Sequence, residues 1–201
     1  MTTKITGEMV KNLREMTGAA FVDCKKALEA SDGNTEAAVD FLKKKSQASA
    51  VKRMDREASE GIVASYIHGN GKIGVLVEVN CETDFVARNE LFQQLVKDVA
   101  MQVAAQSPLY VAKSDIPEME LVKQRVIFTA QAAESGKPEA VISKIVEGRM
   151  QKWVAEVCLM EQPFIKDADQ TILELMKSVI AKTGENIRVR RFARFQLGEK
   201  L

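Results

Sequence analysis

The side chains best suited to chemistry are few in this sequence and lie far apart. One histidine, His68, stands in a predicted turn, and the three cysteines, Cys24, Cys81 and Cys158, form no CxxC pair. A catalytic histidine needs partner groups within hydrogen-bonding distance, and a zinc site needs clustered ligands. The sequence therefore predicts no metal site, and scattered cysteines of this kind are typical of buried apolar positions in a reducing cytosol.

Motifs that cradle phosphates or activate nucleophiles are also missing. There is no GxxxxGK[ST] loop, no GxGxxG after a strand, no GxSxG and no HExxH. Most carboxylates stand at helical spacing beside Lys and Arg, which is typical of a solvated helix face. We therefore expect a binding protein without catalytic residues or a cofactor, and not an enzyme.

One stretch, ETDFVARN from Glu82 to Asn89, places an aromatic residue among polar residues. It follows an apolar run with strand character and precedes an amphipathic helical pattern. Phe85 is then either a core residue that tucks back beneath the helix or an exposed contact for a partner. Large aromatic residues are usually buried, and the residues by themselves leave both alternatives open.

The first 45 residues are predicted to form a module of three short helices. Thr17-Gly18 and Asp32-Gly33 supply the breaks, and Asn34 or Thr35 can cap the third helix. So small a core is marginally stable alone and commonly displays an apolar edge to a partner. The expected buried faces are Met9, Val10, Leu13 and Met16, then Phe21, Cys24, Ala27 and Leu28, then Ala38, Val39 and Leu42.

Residues 46–60 are predicted to be a linker, helical in part, because large apolar residues are sparse there. At Gly61 the period changes from helix to strand, and GIVASYI and KIGVLVEV flank the hairpin signal Asn70-Gly71. Helical spacing resumes at Leu91, with Asn89 as the N-cap. Residues sharing a buried face are Ile73, Val75, Val77 and Val79 in the second strand and Leu91, Phe92, Leu95, Val96, Val99 and Val103 in the helix.

The core domain is predicted to span residues 61–201, with a first half at 61–113, a helical connection at 114–150 and a second half at 151–201. SPLYV suggests a short strand, and helices are expected at 118–134 and 139–149. The second half weakly repeats the first: a strand at KWVAEV, a loop with Phe164, a helix and a final strand. The fold class predicted is α+β, with two related subdomains and small antiparallel sheets, and Phe164 is expected to be a core residue.

Bulk composition excludes several function classes. The 29 Lys and Arg residues balance 28 Asp and Glu residues for a net charge of +1, so a protein held mainly by phosphate contacts is not expected. No apolar run approaches the ~18 residues of a membrane span, and the start, MTTKITGEMVK, has no signal-peptide core. We expect a cytoplasmic protein without direct nucleic-acid or membrane partners.

Two long motifs make the sequence recognisable. LREMTGAAFVDCKKAL, from Leu13 to Leu28, and EVNCETDFVAR, from Glu78 to Arg88, resemble two signatures of the bacterial elongation factor Ts family. SGKP, IVEGRMQKW, EQPFIKD and VRRFARFQLGEK are similar to further family stretches, in the same order. The resemblance covers essentially the whole chain.

The resemblance implies a guanine-nucleotide exchange factor for elongation factor Tu that carries out no covalent chemistry. It implies a ubiquitin-associated-like N-terminal module on residues 1–45, and a Phe wedge, Phe85, that enters the partner near its magnesium site. Partner-binding residues carried over from the family are Thr83, Asp84, Phe85, Val86, Ile73, Gly74, Gln102, Arg14, Phe21, Val22 and Lys25.

Some features depart from longer family members. Gln102 stands where the family often has a histidine, and the chain ends at Leu201 without a C-terminal helical extension. Some compact members act as dimers, so the resemblance implies a homodimer or a 2:2 complex with the GTPase as options. The alternative function is a ubiquitin-associated-type adaptor, in which the N-terminal helices bind another partner.

Overall fold

The computed structural model describes residues 4–199, and its helices and strands divide between two compact units. The first unit comprises the chain up to Glu57 together with Lys177–Asn186, and the second comprises Ala58–Met176 together with the segment from Ile187. The elements are α1 (Gly7–Thr17), α2 (Phe21–Ala30), α3 (Thr35–Val51), β1 (Glu60–His68), β2 (Ile73–Cys81), α4 (Asp84–Ala87), α5 (Glu90–Gln106), α6 (Glu118–Ala133), α7 (Glu139–Val157), β3 (Pro163–Phe164), β4 (Asp167–Thr171), α8 (Ile172–Thr183) and β5 (Ile187–Gln196).

The first unit is built on α1, α2 and α3. Thr6 caps α1 by accepting a hydrogen bond from the Met9 amide, and Gly18 ends that helix at a φ of 67°, a left-handed conformation that glycine adopts without strain. Asn34, and not Thr35, caps α3. The core predicted for this module is largely confirmed by a buried cluster of Val10, Leu13, Cys24, Ala27, Leu28, Ala38 and Leu42.

Two expected core residues of this unit are not buried. Met16 and Phe21 are both exposed, so their assignment to the buried faces is wrong. Met16 lies in the last turn of α1 and Phe21 opens α2, where the chain reverses around Gly18. A small three-helix core cannot cover residues at such a corner.

Helix α3 is longer than expected and runs to Val51, well into the segment predicted as a linker. A tight series of turns follows to Arg56. The Asn186 amide donates to the carbonyl oxygens of Met54 and Arg56, the former at 3.1 Å. The later part of residues 46–60 is thereby fastened to the C-terminal part of the same unit.

The second unit carries a three-stranded antiparallel sheet of order β1-β2-β5. Tyr66 pairs with Val75, and Val75 pairs with Arg194 across the central strand. Val75, Val77 and Val79 are buried on the face against which α5 packs, as the period-two pattern predicts. Gly61 is required at its position, because a Cβ there would lie 2.1 Å from the Val79 carbonyl oxygen.

Helices α6 and α7 form an antiparallel hairpin in the same unit. Ala132, Val146 and Met150 are buried between them, with Phe128 and Trp153 packed alongside. Helix α7 continues through KWVAEV to Val157, so the strand predicted there is wrong. The strand expected at SPLYV is reduced to one bridge, in which Tyr110 pairs with Cys158.

A two-stranded hairpin, β3 and β4, precedes α8. Phe164 is buried in it, which confirms its core assignment. Thr171 and Glu174 cap α8 reciprocally, since the Glu174 amide donates to the Thr171 hydroxyl and the Thr171 amide to the Glu174 carboxylate. The predicted α+β class is confirmed. Across residues 4–199 no helix combines the length and apolar character needed to cross a bilayer.

Candidate partner-binding site

The ETDFVARN stretch forms a single helical turn, α4, between β2 and α5. Thr83 caps it by accepting a hydrogen bond from the Val86 amide at 3.3 Å, and the Cys81 thiol donates to the Thr83 carbonyl at 3.1 Å. Asn89 then caps α5 by accepting from the Leu91 amide at 2.8 Å. Side-chain caps therefore stabilise both this turn and the helix that follows it.

Phe85 points away from the protein at the centre of this turn. Its side chain is 77% exposed, whereas the next two residues, Val86 and Ala87, are buried. Helix α4 packs against β1, β2 and α5. These buried neighbours pack the turn against the rest of the unit, while the aromatic ring of Phe85 remains exposed to solvent.

The charge beside this ring is paired within the turn. The Asp84 carboxylate forms an ion pair with the Arg88 guanidinium, one turn further along, and both side chains are largely exposed. Exposed pairs of this kind contribute little stability. Neither group is therefore held in place by a strong interaction with the other.

Ile73 and Gly74 lie at the opposite end of β2 from Cys81, which leads into α4. Eight residue steps at about 3.3 Å separate Ile73 from Cys81, or roughly 26 Å along the strand. Both residues are partly buried, and the Ile67 side chain lies 3.5 Å from where a Cβ on Gly74 would stand. The structure thus places these two residues apart from Phe85.

Gln102 is fully buried on α5 and does not reach the surface. Its amide donates to the Gln162 side chain at 3.1 Å and to the Pro163 carbonyl at 3.0 Å, and its oxygen accepts from the Ile165 amide at 2.9 Å. All three partners belong to the segment around β3. In this chain Gln102 therefore holds that hairpin to α5 and presents no surface to a partner.

The N-terminal candidates all lie around the turn between α1 and α2. Arg14, Phe21, Val22 and Lys25 are exposed, and Lys25 forms a loose ion pair with Glu29 at 3.8 Å. Met16 adds a third exposed apolar side chain to Phe21 and Val22. Helical spacing had assigned Met16 to the core, and only the position of Gly18 two residues later signals the corner.

A second feature that the sequence pattern did not predict is a set of exposed apolar side chains on the outer face of the three-stranded sheet. Val63, Ile67, Leu76 and Phe195 are all exposed there, and the register aligns Ile67 and Phe195 on either side of Gly74. An antiparallel sheet commonly leaves one face to water, but that face is then usually polar. This sheet instead presents apolar side chains on both faces.

Titratable groups in the described part of the chain do not converge on a reactive centre. No three His, Cys, Asp or Glu side chains within residues 4–199 are placed to hold a metal ion. Burial raises the pKa of the Cys158 thiol to about 11, which leaves it protonated at neutral pH. The hydrogen bond from Arg191 lowers the pKa of Glu78, and that pair lies on the outer face of the sheet.

These surfaces define the class of the molecule: an α+β protein with exposed apolar side chains on a capped turn and on the outer face of its sheet. Comparison with known proteins identifies one family. The family model described as Elongation factor TS matches residues 4–199.

Three relatives named Elongation factor Ts match over almost the full length. The protein from Carboxydothermus hydrogenoformans is 54% identical over 98% of this chain and 91% of its own. That from Geobacter sulfurreducens is 55% identical over the same shares, and that from Moorella thermoacetica is 56% identical over 94% of each chain. The chain belongs to the elongation factor Ts family, and is a nucleotide-exchange factor of translation elongation.

Proposed function

We propose that the protein accelerates GDP release from elongation factor Tu, so that GTP can bind, by inserting Phe85 near the partner's magnesium site. The observation that supports this most directly is the 77% exposure of Phe85 on a turn that Thr83 caps and in which the next two residues, Val86 and Ala87, are buried. Because the ring is already exposed, it can enter a partner without first losing packing contacts in its own core. Thr83 and Val86 act here as supports, and Asp84 and Phe85 as contacts.

The size of one ring limits what Phe85 can do alone. Burying an exposed Phe side chain is worth roughly 1.5 to 3 kcal/mol, or about ten- to a hundredfold in an equilibrium. Displacing a tightly held nucleotide needs more than this. Exchange then draws on a wide interface, above ~1,200 Å², in which Phe85 is one anchor among several.

Further anchors are the exposed residues around the turn between α1 and α2 and the residues at the start of β2. Arg14, Phe21, Val22 and Lys25 form the first group, with Met16 added on the basis of its exposure. Ile73 and Gly74 form the second. Gln102 is left out of the contact set, because its side chain is buried and fully hydrogen-bonded within the chain.

The stoichiometry that we propose is a homodimer or a 2:2 complex with the GTPase, the two options that the family resemblance implies. The exposed apolar side chains on the outer face of the sheet are the surface through which such copies would join.

Linkage means that the protein itself does not set the direction of exchange. If the protein weakens GDP binding by some factor, GDP weakens binding of the protein by the same factor. The protein therefore lowers the affinity for either nucleotide without choosing between them, and cellular GTP supplies the direction. In this proposal the action is cytoplasmic and uses binding energy alone, with no covalent step, cofactor, membrane or direct nucleic-acid contact.

The test is release of a fluorescent GDP from elongation factor Tu in a stopped-flow instrument. Wild type is expected to accelerate release in proportion to its concentration, and Phe85→Ala to slow that release by about ten- to a hundredfold. Leu109→Ala is the matched control, because Leu109 is also an exposed large apolar residue and lies outside the proposed contacts. Equal rates of GDP release with wild type and with Phe85→Ala would contradict the role of Phe85. No acceleration by wild type would contradict the proposed exchange function itself.

A further inference from the structure

The thiol of Cys81 connects the central strand of the sheet to the turn that carries Phe85. Its side chain is fully buried, and it donates a hydrogen bond to the Thr83 carbonyl at 3.1 Å. Buried cysteines usually behave as small apolar residues, because the thiol is a weak donor. Here the thiol has a defined acceptor in the residue that caps α4, so packing alone does not account for its contacts.

The sheet determines where this thiol lies. Cys81 is the last residue of β2, and it is paired with Glu60 of β1 on one side and with Ile187 of β5 on the other. A residue of a central strand is held by hydrogen-bonded ladders in both directions. The sulfur atom is therefore carried by a constrained strand end and not by a free loop.

The Thr83 carbonyl oxygen receives two hydrogen bonds. The Ala87 amide donates to it at 3.2 Å from within the turn, and the Cys81 thiol donates to it from the sheet. A carbonyl oxygen has two lone pairs, so both are used. Because this oxygen belongs to the rigid peptide plane between Thr83 and Asp84, the two donors together orient the plane at which α4 begins.

The direction of the Phe85 ring depends on that plane. Successive side chains of a helical turn point about 100° apart, so a rotation of the turn moves the exposed ring toward the protein and a buried neighbour outward. Val86 and Ala87 are those buried neighbours. A group misplaced by about 1 Å can lose on the order of a hundredfold in rate, so the aim of the ring matters as well as its exposure.

We propose that Cys81 is a positioning residue for nucleotide exchange, whose thiol sets the direction in which Phe85 enters elongation factor Tu. Since Cys81 is fully buried, it contacts no partner itself and acts through the Thr83 carbonyl. This inference rests on the proposed function, because it requires Phe85 to act on the partner. It adds that position 81 needs a hydrogen-bond donor and not only an apolar side chain.

Stopped-flow release of a fluorescent GDP from elongation factor Tu separates the donor from the apolar volume. Cys81→Ala removes the donor and should slow release about fivefold, whereas Cys81→Ser keeps a donor and should stay within about twofold of wild type. If Cys81 acted by packing alone, the polar serine would be the more damaging change. A wild-type rate with Cys81→Ala, or slower release with Cys81→Ser than with Cys81→Ala, would overturn the proposal.

Cys158→Ala is the matched control for these variants. Cys158 is equally buried, but it lies in a separate cluster with Ile116 and Val154. This variant should release GDP at the wild-type rate. A loss equal to that of Cys81→Ala would mean that any buried cysteine has the same effect, and would overturn the specific role of Cys81.

A double mutant determines whether the effect passes through Phe85. In the Phe85→Ala background, adding Cys81→Ala should slow release by less than about twofold, because the ring to be positioned is gone. A further fivefold loss would indicate general damage and overturn the positioning role. Slow release by Phe85→Ala together with a wild-type rate for Cys81→Ala would overturn this inference alone, whereas equal rates for wild type and Phe85→Ala would overturn the proposed role of Phe85 as well.

Amide hydrogen exchange of the full chain measures the turn without the partner. Cys81→Ala should speed exchange of the Ala87 amide about fivefold, since that amide shares its acceptor with the thiol, and Cys81→Ser should restore it. The amides of Val77 and Val79 in the sheet should keep their wild-type rates. Unchanged exchange at Ala87, or equally faster exchange at all three amides, would overturn the proposal.

Discussion

Gln102 and Gln162 are sixty residues apart in the chain, yet the Gln102 amide donates a hydrogen bond to the Gln162 side-chain oxygen over 3.1 Å in the interior. The Gln162 amide in turn donates to the Glu156 carbonyl at 2.7 Å. Gln102 also donates to the Pro163 carbonyl and accepts from the Ile165 amide, so this network ties α5, the end of α7 and β3 together. Every polar atom of both glutamine side chains named here has a partner, as buried amides require.

Gln102→Ala should therefore destabilise the fold. The change leaves the Gln162 oxygen, the Pro163 carbonyl and the Ile165 amide without that partner, and opens a cavity. We expect a loss of about 2 to 4 kcal/mol in the free energy of unfolding. Urea denaturation followed by circular dichroism measures it.

Gln93→Ala is the control for that experiment, because Gln93 is an exposed glutamine on the same helix. Its effect should stay within about 0.5 kcal/mol. If both variants lost the same stability, the buried network would contribute nothing. If Gln102→Ala instead kept full stability and lost exchange, the residue would be a partner contact after all.

Phe85 and Val86 are neighbours with opposite environments, and they should separate function from stability. Phe85→Ala should change the free energy of unfolding by less than about 0.5 kcal/mol, because the ring is exposed. Val86→Ala should cost about 1 to 2.5 kcal/mol, because its side chain is buried beneath the turn. Thermal unfolding of both variants decides this, and a large loss for Phe85→Ala would mean that the ring packs in solution.

Local periodicity was sufficient to predict most of this fold. The apolar spacing in α5 predicted Phe92, Leu95 and Val99 as buried, although Leu91, assigned to the same face, is exposed in the first turn. The alternation in β2 predicted its inner face. Such signals work because burial of one stripe or face recurs with the geometry of the element itself. The burial of Val75, Val77 and Val79 can be predicted from their alternate positions without knowing which element packs against them.

The failures arise where a decision depends on distant residues. KWVAEV reads as a strand by its valines, but Met150, Trp153, Val154 and Val157 also follow helical spacing, and packing against α6 selects the helix. Nothing near Gln102 in the sequence indicates that it is buried, because its hydrogen-bonding partners lie about sixty positions away. For Phe85 the residues alone left core and contact open, and only the motif's family resemblance favoured contact.

The Glu78–Arg191 pair should contribute to stability near neutral pH and lose that contribution in acid. The hydrogen bond from Arg191 lowers the pKa of Glu78 below its ordinary value of 4.5. A carboxyl with a depressed folded-state pKa adds stability above its unfolded-state pKa, and this stability is lost as the pH falls through the folded-state value. Glu78→Gln should therefore have a lower unfolding temperature than wild type at neutral pH, with the gap closing in acid.

Arg191→Gln provides the check on that assignment, because it breaks the same pair from the other side. Both variants should flatten the dependence of unfolding temperature on pH between pH 4.5 and strongly acidic solution. Glu78→Gln should flatten it more, because Asn80 and Arg190 also lower the pKa of Glu78. A gap that persists unchanged in acid would show that Glu78 acts through packing and not through its charge. The energy at stake is small, since the Arg191 side chain is exposed.

Asp84 and Arg88 allow the charge beside the proposed wedge to be tested separately from the ion pair it belongs to. Asp84→Asn and Arg88→Ala each break that pair, and because both side chains are exposed each should cost less than about 1 kcal/mol of stability. Only Asp84→Asn removes the negative charge next to Phe85. If that charge acts on the partner's cation or phosphates, Asp84→Asn should slow GDP release by about five- to tenfold while Arg88→Ala leaves it near wild type. Stopped-flow release with both variants makes the distinction, and equal rates for all three proteins would leave Phe85 as the only active group of the turn.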